Sequence, residues 1–432
     1  MNSGLSTKNA PSPGVVIPYY VYSAFSLLIV TIMMLLGADQ IFNSFIGPKL
    51  LGTTHMLVLG WISMVIFGAL YQLIPVVMEV KINSEKLAHF SFWTLGIGNI
   101  MLSLNFWIHY THPKWISIIG GSLILLSIIS FVINFIKTAT KTKVKSLENG
   151  FIITSVFWLL ITVILGLFTL LNGKYGFLMV SPIDLLKAHA ALGLIGWFLM
   201  LVMGVASILL PMFFIVHNLN KKFIQASYIF SNIGLLILIL SILLQWPSTL
   251  TIIAGALIFI GVFFFVRYNY DAYKRRLRKK LDVGMKLTVL SFVLLALSFA
   301  FGLLVFISPA ALASYIIPFS LAFGANLLLG FFTSLILGQM YKTLPFIIWL
   351  VKYQDKVGKF KTPLPADLYS EKIADGHYYS FLAAIITLNI AILTGKENIL
   401  YFSIIAFIIT AALYTFNTLK IVFHKEDIKP LK

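Results

Sequence analysis

The stretch GWISMVIFGALYQLIP, residues 60–75, decides the fold of this chain because it occurs three times in variant form. The second copy is GWFLMLVMGVASILLP at residues 196–211, and the third is GFFTSLILGQMYKTLP at residues 330–345. In every copy Gly occupies the first and ninth positions. A residue with a hydroxyl group occupies the twelfth position, and Pro occupies the sixteenth. The copies begin 136 and then 134 residues apart. Regular repetition over such a distance predicts a triplicated membrane unit.

Composition places the chain in a lipid bilayer. Hydrophobic residues make up 59% of the 432 residues and charged residues only 11%, whereas a soluble domain carries about a quarter charged residues. Apolar runs recur at about 20 residues, the length that crosses a hydrocarbon core. We predict an all-α integral membrane protein with twelve transmembrane helices in three pseudo-repeated four-helix arcs. The predicted runs are 17–37, 51–78, 88–108, 116–136, 151–171, 183–215, 223–244, 248–268, 285–307, 314–349, 378–394 and 398–423.

The repeat also predicts how the chain is organised. Four helices per unit put the repeated pattern on the second, sixth and tenth helices, within a single membrane domain, 1–432. In that pattern Gly permits close approach to a neighbouring helix. Pro bends the helix and leaves a backbone carbonyl without its helical hydrogen bond, which groups on neighbouring helices can replace. The predicted parts are a polar N-terminal tail over 1–16, repeats over about 17–140, 150–270 and 285–424, and an inner loop over 352–376.

The net charge of +18 is distributed as a membrane topology requires, so it does not predict nucleic-acid binding. With the N-terminus inside, 27 of the 32 Lys and Arg residues fall on inner segments and five on outer segments. This bias is the positive-inside rule, and it predicts that both termini are cytoplasmic in a bacterial inner membrane. The chain contains no Cys, which excludes disulfides, Fe–S clusters and thiolate metal sites.

Histidines supply the candidate functional residues. His55 and His189 lie inside the outer ends of the second and sixth helices, where a polar imidazole needs a partner. Imidazole is the commonest metal ligand and a common haem ligand, although a hydrogen bond to a neighbouring helix would also account for each. The other six histidines are predicted to be ordinary interfacial or loop residues: His89, His109, His112, His217, His377 and His424.

The topology and the strings THMLVLGW (residues 54–61) and AHAALGLIGW (residues 188–197) resemble subunit I of the haem–copper oxidase superfamily, in its cbb3 and nitric oxide reductase branch. The resemblance implies that His55 is an axial ligand of a b-type haem and that His189 is a haem or metal ligand. In that family the tenth helix supplies a His-x-His, but Phe323 and Ala325 stand at the equivalent positions here. The seventh helix also lacks the family's two copper-binding histidines, so we expect no copper.

The resemblance therefore predicts an oxidase subunit I-like protein with a redox or gas-ligand role that lacks the full dioxygen-reducing site. Whether it is an enzyme stays open at this point, and no catalytic residue is assigned. A separate cytochrome c, quinol or other membrane subunits would be its partners within the lipid bilayer. The alternatives are a non-catalytic protein of assembly, copper or haem handling or nitric oxide response, and a secondary transporter. Three repeats argue against a transporter, because transporter repeats usually come as two halves.

Overall fold

The computed structural model describes residues 9–41, 46–108, 114–142, 146–307, 310–426 and 428–430. Within these residues twelve helices are long and apolar enough to cross a membrane, which confirms the predicted all-α membrane class. His109 and His112 lie outside the described residues. The helices are α1 (Pro13–Leu36), α2 (Pro48–Val77), α3 (Glu85–Trp107), α4 (Trp115–Ala139), α5 (Leu147–Tyr175), α6 (Pro182–Phe214), α7 (Lys221–Leu243), α8 (Ser248–Lys274), α9 (Val283–Ile307), α10 (Ile316–Lys356), α11 (Glu371–Thr394) and α12 (Glu397–Val422).

Two boundaries differ from the prediction. The helix α1 begins at Pro13, inside the stretch predicted as a polar tail over 1–16, because Pro is well suited to the first turn of a helix. The segment predicted as a loop over 352–376 is shorter, because α10 continues to Lys356 and α11 starts at Glu371. Between them β1 (Phe360–Lys361) pairs antiparallel with β2 (Lys429–Pro430).

The chain forms two compact units. The first comprises Met1–Val77, Asn99–Pro113 and Leu281–Lys432, and the second comprises Met78–Gly98 and Lys114–Lys280. In the first unit α1 contacts α2 and α12, α9 contacts α10, and α11 contacts α12. In the second unit α5 contacts α4 and α6, and α8 contacts α6 and α7.

The three repeat helices α2, α6 and α10 share a feature that the sequence did not predict. Each contains a π-helical segment: Met56–Ser63, Leu192–Leu199 and Asn326–Phe332. Every segment starts four residues before the first Gly of its repeat. A π segment accommodates more residues per turn than an α-helix, and such segments often occur at functional sites.

The second Gly of each repeat explains the packing of these helices. In each case a Cβ at that Gly would collide with the first helix of the same four-helix repeat. The distances would be 2.9 Å from Gly68 to Tyr19 Cβ on α1, 2.6 Å from Gly204 to Phe151 Cβ on α5, and 2.5 Å from Gly338 to the Gly284 carbonyl oxygen on α9. The glycines therefore allow the close helix contacts that their spacing indicated. Pro75, Pro211 and Pro345 all lie inside their helices.

Candidate functional site: two histidines and the α2–α10 cavity

His55 lies on the face of α2 that packs against α3. Its Nδ1 is 2.8 Å from the carbonyl oxygen of Leu51, one turn earlier on the same helix. Its ring meets the ring of Phe106 on α3 edge-on, with centroids 5.1 Å apart. Gly52, three residues earlier, brings α2 close to α3, because a Cβ there would lie 2.7 Å from the Ser103 carbonyl oxygen. Residues three apart share a helix face, so Gly52 and His55 together define the α3 side of α2.

His189 links α6 to α5 in the second unit. Its Nδ1 is 2.9 Å from the carbonyl oxygen of Thr162. Its ring lies against Gly166, where a Cβ would be 2.7 Å from the imidazole Cε1. The hydrogen bond joins the two helices directly, and Gly166 supplies the space for the ring.

Both histidines have the same tautomer for the same reason. A carbonyl oxygen only accepts hydrogen bonds, so Nδ1 carries the proton in His55 and in His189, and the lone pair resides on Nε2. Metal-ligating histidines commonly have one ring nitrogen fixed in this way by a backbone carbonyl. The two residues belong to different units, so each must be considered as a separate site. Among the described residues, no three His, Asp or Glu side chains come together as a metal site.

The two positions on α10 that correspond to the family's histidines have other roles. The ring of Phe323 is turned toward α9, where a Cβ at Gly302 would lie 3.1 Å from its Cδ2 atom. The Phe323 carbonyl accepts a hydrogen bond of 2.8 Å from Ser298 Oγ on α9. Ala325 lines a cavity between α2 and α10.

This α2–α10 cavity has a volume of about 220 Å³ and lies in the first unit. Among the residues that the structure describes, no imidazole lines it, and His55 is not part of its wall. Its wall is mostly apolar, and Lys49 is the one charged residue among its described lining residues. The lining residues are Val30, Met33, Met34, Gly37, Gln40, Lys49, Leu50, Thr53, Thr54, Leu57, Trp107, Ser320, Leu321, Gly324, Ala325, Leu328, Leu329, Leu388 and Ile392.

His377, which the sequence predicts to be an interfacial residue at an inner helix end, is buried between helices. Because α11 begins at Glu371 and not near residue 378, His377 lies nearly two turns inside the helix and is 0% exposed. Its Nδ1 is 3.3 Å from Tyr341 Oη, and its ring centroid is 5.8 Å from that of Tyr414. Its Nε2 has no hydrogen-bond partner among the described residues. Tyr341 is the hydroxyl residue of the third repeat. Its place in the repeat is the feature of the sequence that could have indicated a buried polar contact here.

Comparison with known proteins identifies the fold. No family model matches the chain. An uncharacterized protein of Aquifex aeolicus (strain VF5) is 28% identical over 303 residues, which is 69% of this chain and 72% of the relative. A heme–copper terminal oxidase, solved as a dimer by cryo-EM, matches with a TM-score of 0.61 at 10% identity, over 98% of this chain and 86% of that chain. This chain has the haem–copper oxidase fold. The fold implied by the sequence resemblance to subunit I is thereby confirmed.

The cofactor arrangement that the resemblance implies does not fit this oxidase-like chain at α10. A low-spin haem between the second and tenth helices would need one axial imidazole from each side. The helix α10 has no His in its sequence, and His55 faces α3. The cavity of about 220 Å³ is also smaller than the roughly 300–1,000 Å³ typical of sites that enclose a drug-sized ligand. On the side of α2, His55 is the imidazole that the resemblance assigns to a haem.

Proposed function

We propose that this oxidase-like membrane protein binds one b-type haem through His55 Nε2 and serves a redox or gas-ligand role other than dioxygen reduction. The observation that supports the proposal is the hydrogen bond of 2.8 Å between His55 Nδ1 and the Leu51 carbonyl. That bond places the coordinating lone pair on Nε2 and fixes the orientation of the ring, as it does for ligating histidines. A haem held by one imidazole offers an open coordination position for a small gas ligand.

His189 is the second candidate ligand, for haem or for a metal ion. Its tautomer is fixed by Thr162 in the same way. Its ring is also packed on Gly166, so binding at Nε2 would have to occur without displacing the ring from α5. The helix anchor that His189 provides accounts for its hydrogen bond without a cofactor, and His55 is therefore the stronger proposal.

The proposed setting follows from the charge bias and from the oxidase-like fold. The protein is placed in the bacterial cytoplasmic membrane with both termini in the cytoplasm, because Lys and Arg are concentrated on that side. Its proposed electron donor is a separate cytochrome c or a quinol in the membrane, and other membrane subunits are further proposed partners. The cbb3 and nitric oxide reductase branch remains part of the proposal, with degenerate metal ligands.

Haem analysis of the purified protein tests the proposal. The wild type, expressed with adequate haem, is expected to show a Soret band and about one haem per chain in a pyridine haemochrome assay. His55→Ala should lose that haem, whereas His89→Ala, which removes an exposed imidazole from α3, should keep it. Haem retained in His55→Ala but lost in His189→Ala would move the site to α6. A wild type without haem would refute haem binding altogether.

The second candidate function is a non-catalytic role in oxidase assembly, copper or haem handling or nitric oxide response. The observation that favours it is the α2–α10 cavity, which no imidazole lines among the described residues. A haem-free wild type whose thermal stability rises on addition of haem would support haem handling, because a ligand that binds the folded state raises apparent stability. A haem-free wild type whose stability does not change would leave the roles that need no haem.

A further inference from the structure

The α2–α10 cavity is polar at one end and apolar at the other. Lys49 and Ser320 contribute polar groups near the N-terminal ends of α2 and α10, together with Gln40, and the hydroxyls of Thr53 and Thr54 follow on α2. Leu57 and Leu328 line it further along the same helices. From Lys49 to Leu57 the helix axis advances about 12 Å at 1.5 Å per residue. The cavity therefore has the polarity gradient of a lipid headgroup joined to its chain.

Lys49 determines which headgroup suits the cavity. Its Nζ is 3.5 Å from Asp39 Oδ1, at the long end of an ion pair, and the Asp39 side chain is 64% exposed. The same Nζ lies 5.8 Å from the centroid of Trp107, which also lines the cavity. Lys and Trp together are typical of the membrane–water boundary. An exposed carboxylate at this distance neutralises Lys49 weakly, so an anionic oxygen in the cavity mouth would gain a charge-assisted hydrogen bond.

We infer that the α2–α10 cavity binds an anionic acyl lipid, with its headgroup oxygens at Lys49 and the first part of its chain between α2 and α10. Apolar surface alone gives no selectivity here, because lipid chains are as apolar as the leucines of the wall. Selectivity must therefore come from the headgroup, and Lys49 is the only charged lining residue in the described part of the chain. The small volume accommodates the upper part of one chain, and the remainder extends into the bilayer. The site does not depend on haem, because His55 lies outside its wall.

Photo-crosslinking of the full-length protein in phosphatidylcholine nanodiscs tests the inference. Three probes carry a diazirine on the upper part of the acyl chain: a free fatty acid, a phosphatidylglycerol and a neutral fatty alcohol. Labelling by at least one anionic probe is expected on peptides from α2 and α10. The probe that labels more strongly, and that competes with the other, identifies the source of the head as a carboxylate or a phosphodiester.

Variants separate the head contact from the chain contact. Lys49→Met keeps the side-chain stem and should reduce anionic labelling about tenfold, whereas Lys396→Met, which removes an exposed Lys elsewhere, should leave it unchanged. Ala325→Phe fills the cavity and should abolish labelling, and Leu57→Trp serves the same purpose if Ala325→Phe does not fold. Equal labelling by the fatty alcohol, or labelling that survives both Lys49→Met and a folded filling variant, would overturn the inference.

Discussion

The two ends of the repeat helices have diverged to different degrees. Toward their C-terminal ends α2, α6 and α10 make one contact three times, with a Gly against the preceding helix of the same repeat. Toward their N-terminal ends the three differ: α6 is fastened to α5 by His189, while α2 and α10 border a cavity. Backbone proximity tolerates little change, because almost any side chain would separate the helices. Polar side chains nearer the N-termini could be exchanged without disturbing that contact.

The largest expected effect comes from breaking the repeated glycine contact. Gly338→Ala would place a methyl group 2.5 Å from the Gly284 carbonyl oxygen. Because that oxygen belongs to the backbone, it cannot move aside without a shift of the helix. Gly255→Ala, on α8, meets nothing within 4 Å and is the matched control for helix propensity. The free energy of unfolding in detergent should differ between the two variants by about 1–3 kcal/mol. Equal stability of the two variants would contradict the packing role of the repeat Gly.

The next effect concerns the π segment of α10, which begins with Asn326 where α2 has Met56 and α6 has Leu192. The amides of Asn326 and Asn389 exchange two hydrogen bonds, of 2.6 and 3.1 Å, between α10 and α11. Asn389→Leu should destabilise the protein by about 1–2 kcal/mol, because it leaves the buried Asn326 amide without this partner. A double-mutant cycle with Asn326→Leu should give a coupling free energy of roughly 0.6–1.7 kcal/mol. Additive single effects would show that the pair is not coupled.

A smaller effect should identify what His189 does. His189→Phe removes the hydrogen bond to Thr162 and should cost about 0.6 kcal/mol, the average for such bonds between membrane helices. Gly166→Ala should destabilise the wild type by crowding the imidazole but be tolerated in a His189→Ala background. Thermal unfolding of the wild type, the three single variants and the Gly166→Ala/His189→Ala double variant measures both effects. A loss of stability in wild type on metal chelation, absent from His189→Ala, would instead identify a metal ligand.

The smallest effect is expected at the exposed pair near the N-terminus of α6. Lys187 Nζ is 3.1 Å from Asp184 Oδ1, and the Lys187 side chain is 61% exposed. Such surface pairs contribute at most about 1 kcal/mol. Lys187→Ala should therefore change the free energy of unfolding by less than about 0.5 kcal/mol. A larger change would mean that the pair supports the contact of His189, which follows Lys187 by two residues.

The sequence predicted the scaffold well because hydrophobic length and glycine spacing are properties of the chain itself. All twelve helices, and the close packing at Gly68, Gly204 and Gly338, could be inferred from the amino-acid sequence. The burial of His377 could not, because it depended on a helix start that was placed seven residues too late. The π segments were also missed, since an α-helical pattern and a π-helical one have nearly the same composition over eight residues.

The candidate site was predictable only as residue identities. His55 and His189 could be selected by their predicted depth in the membrane. Their hydrogen-bond partners are the backbone carbonyls of Leu51 and Thr162, which the identity of a residue does not predict. Nothing in the sequence indicated that His55 would face α3 while Thr53 and Leu57 face the cavity. Helix rotation, and hence the direction of each side chain, depends on packing at Gly52 and on the π segment that follows.

In each repeat helix, the π segment is a place where the gain or loss of one residue would rotate the N-terminal part of the helix about its axis relative to the rest. Each lies between the N-terminal turns of its helix, which carry a histidine in α2 and α6, and the second repeat Gly, which makes the close helix contact. An α-helix turns about 100° per residue, so deleting one residue such as Val58 would turn the end of α2 by that angle while Gly68 stays in place. His55 would leave α3 and present its imidazole to a different neighbour. We therefore expect a change of one residue in length within a π segment to redirect the side chains that precede it while the second repeat Gly keeps its helix contact.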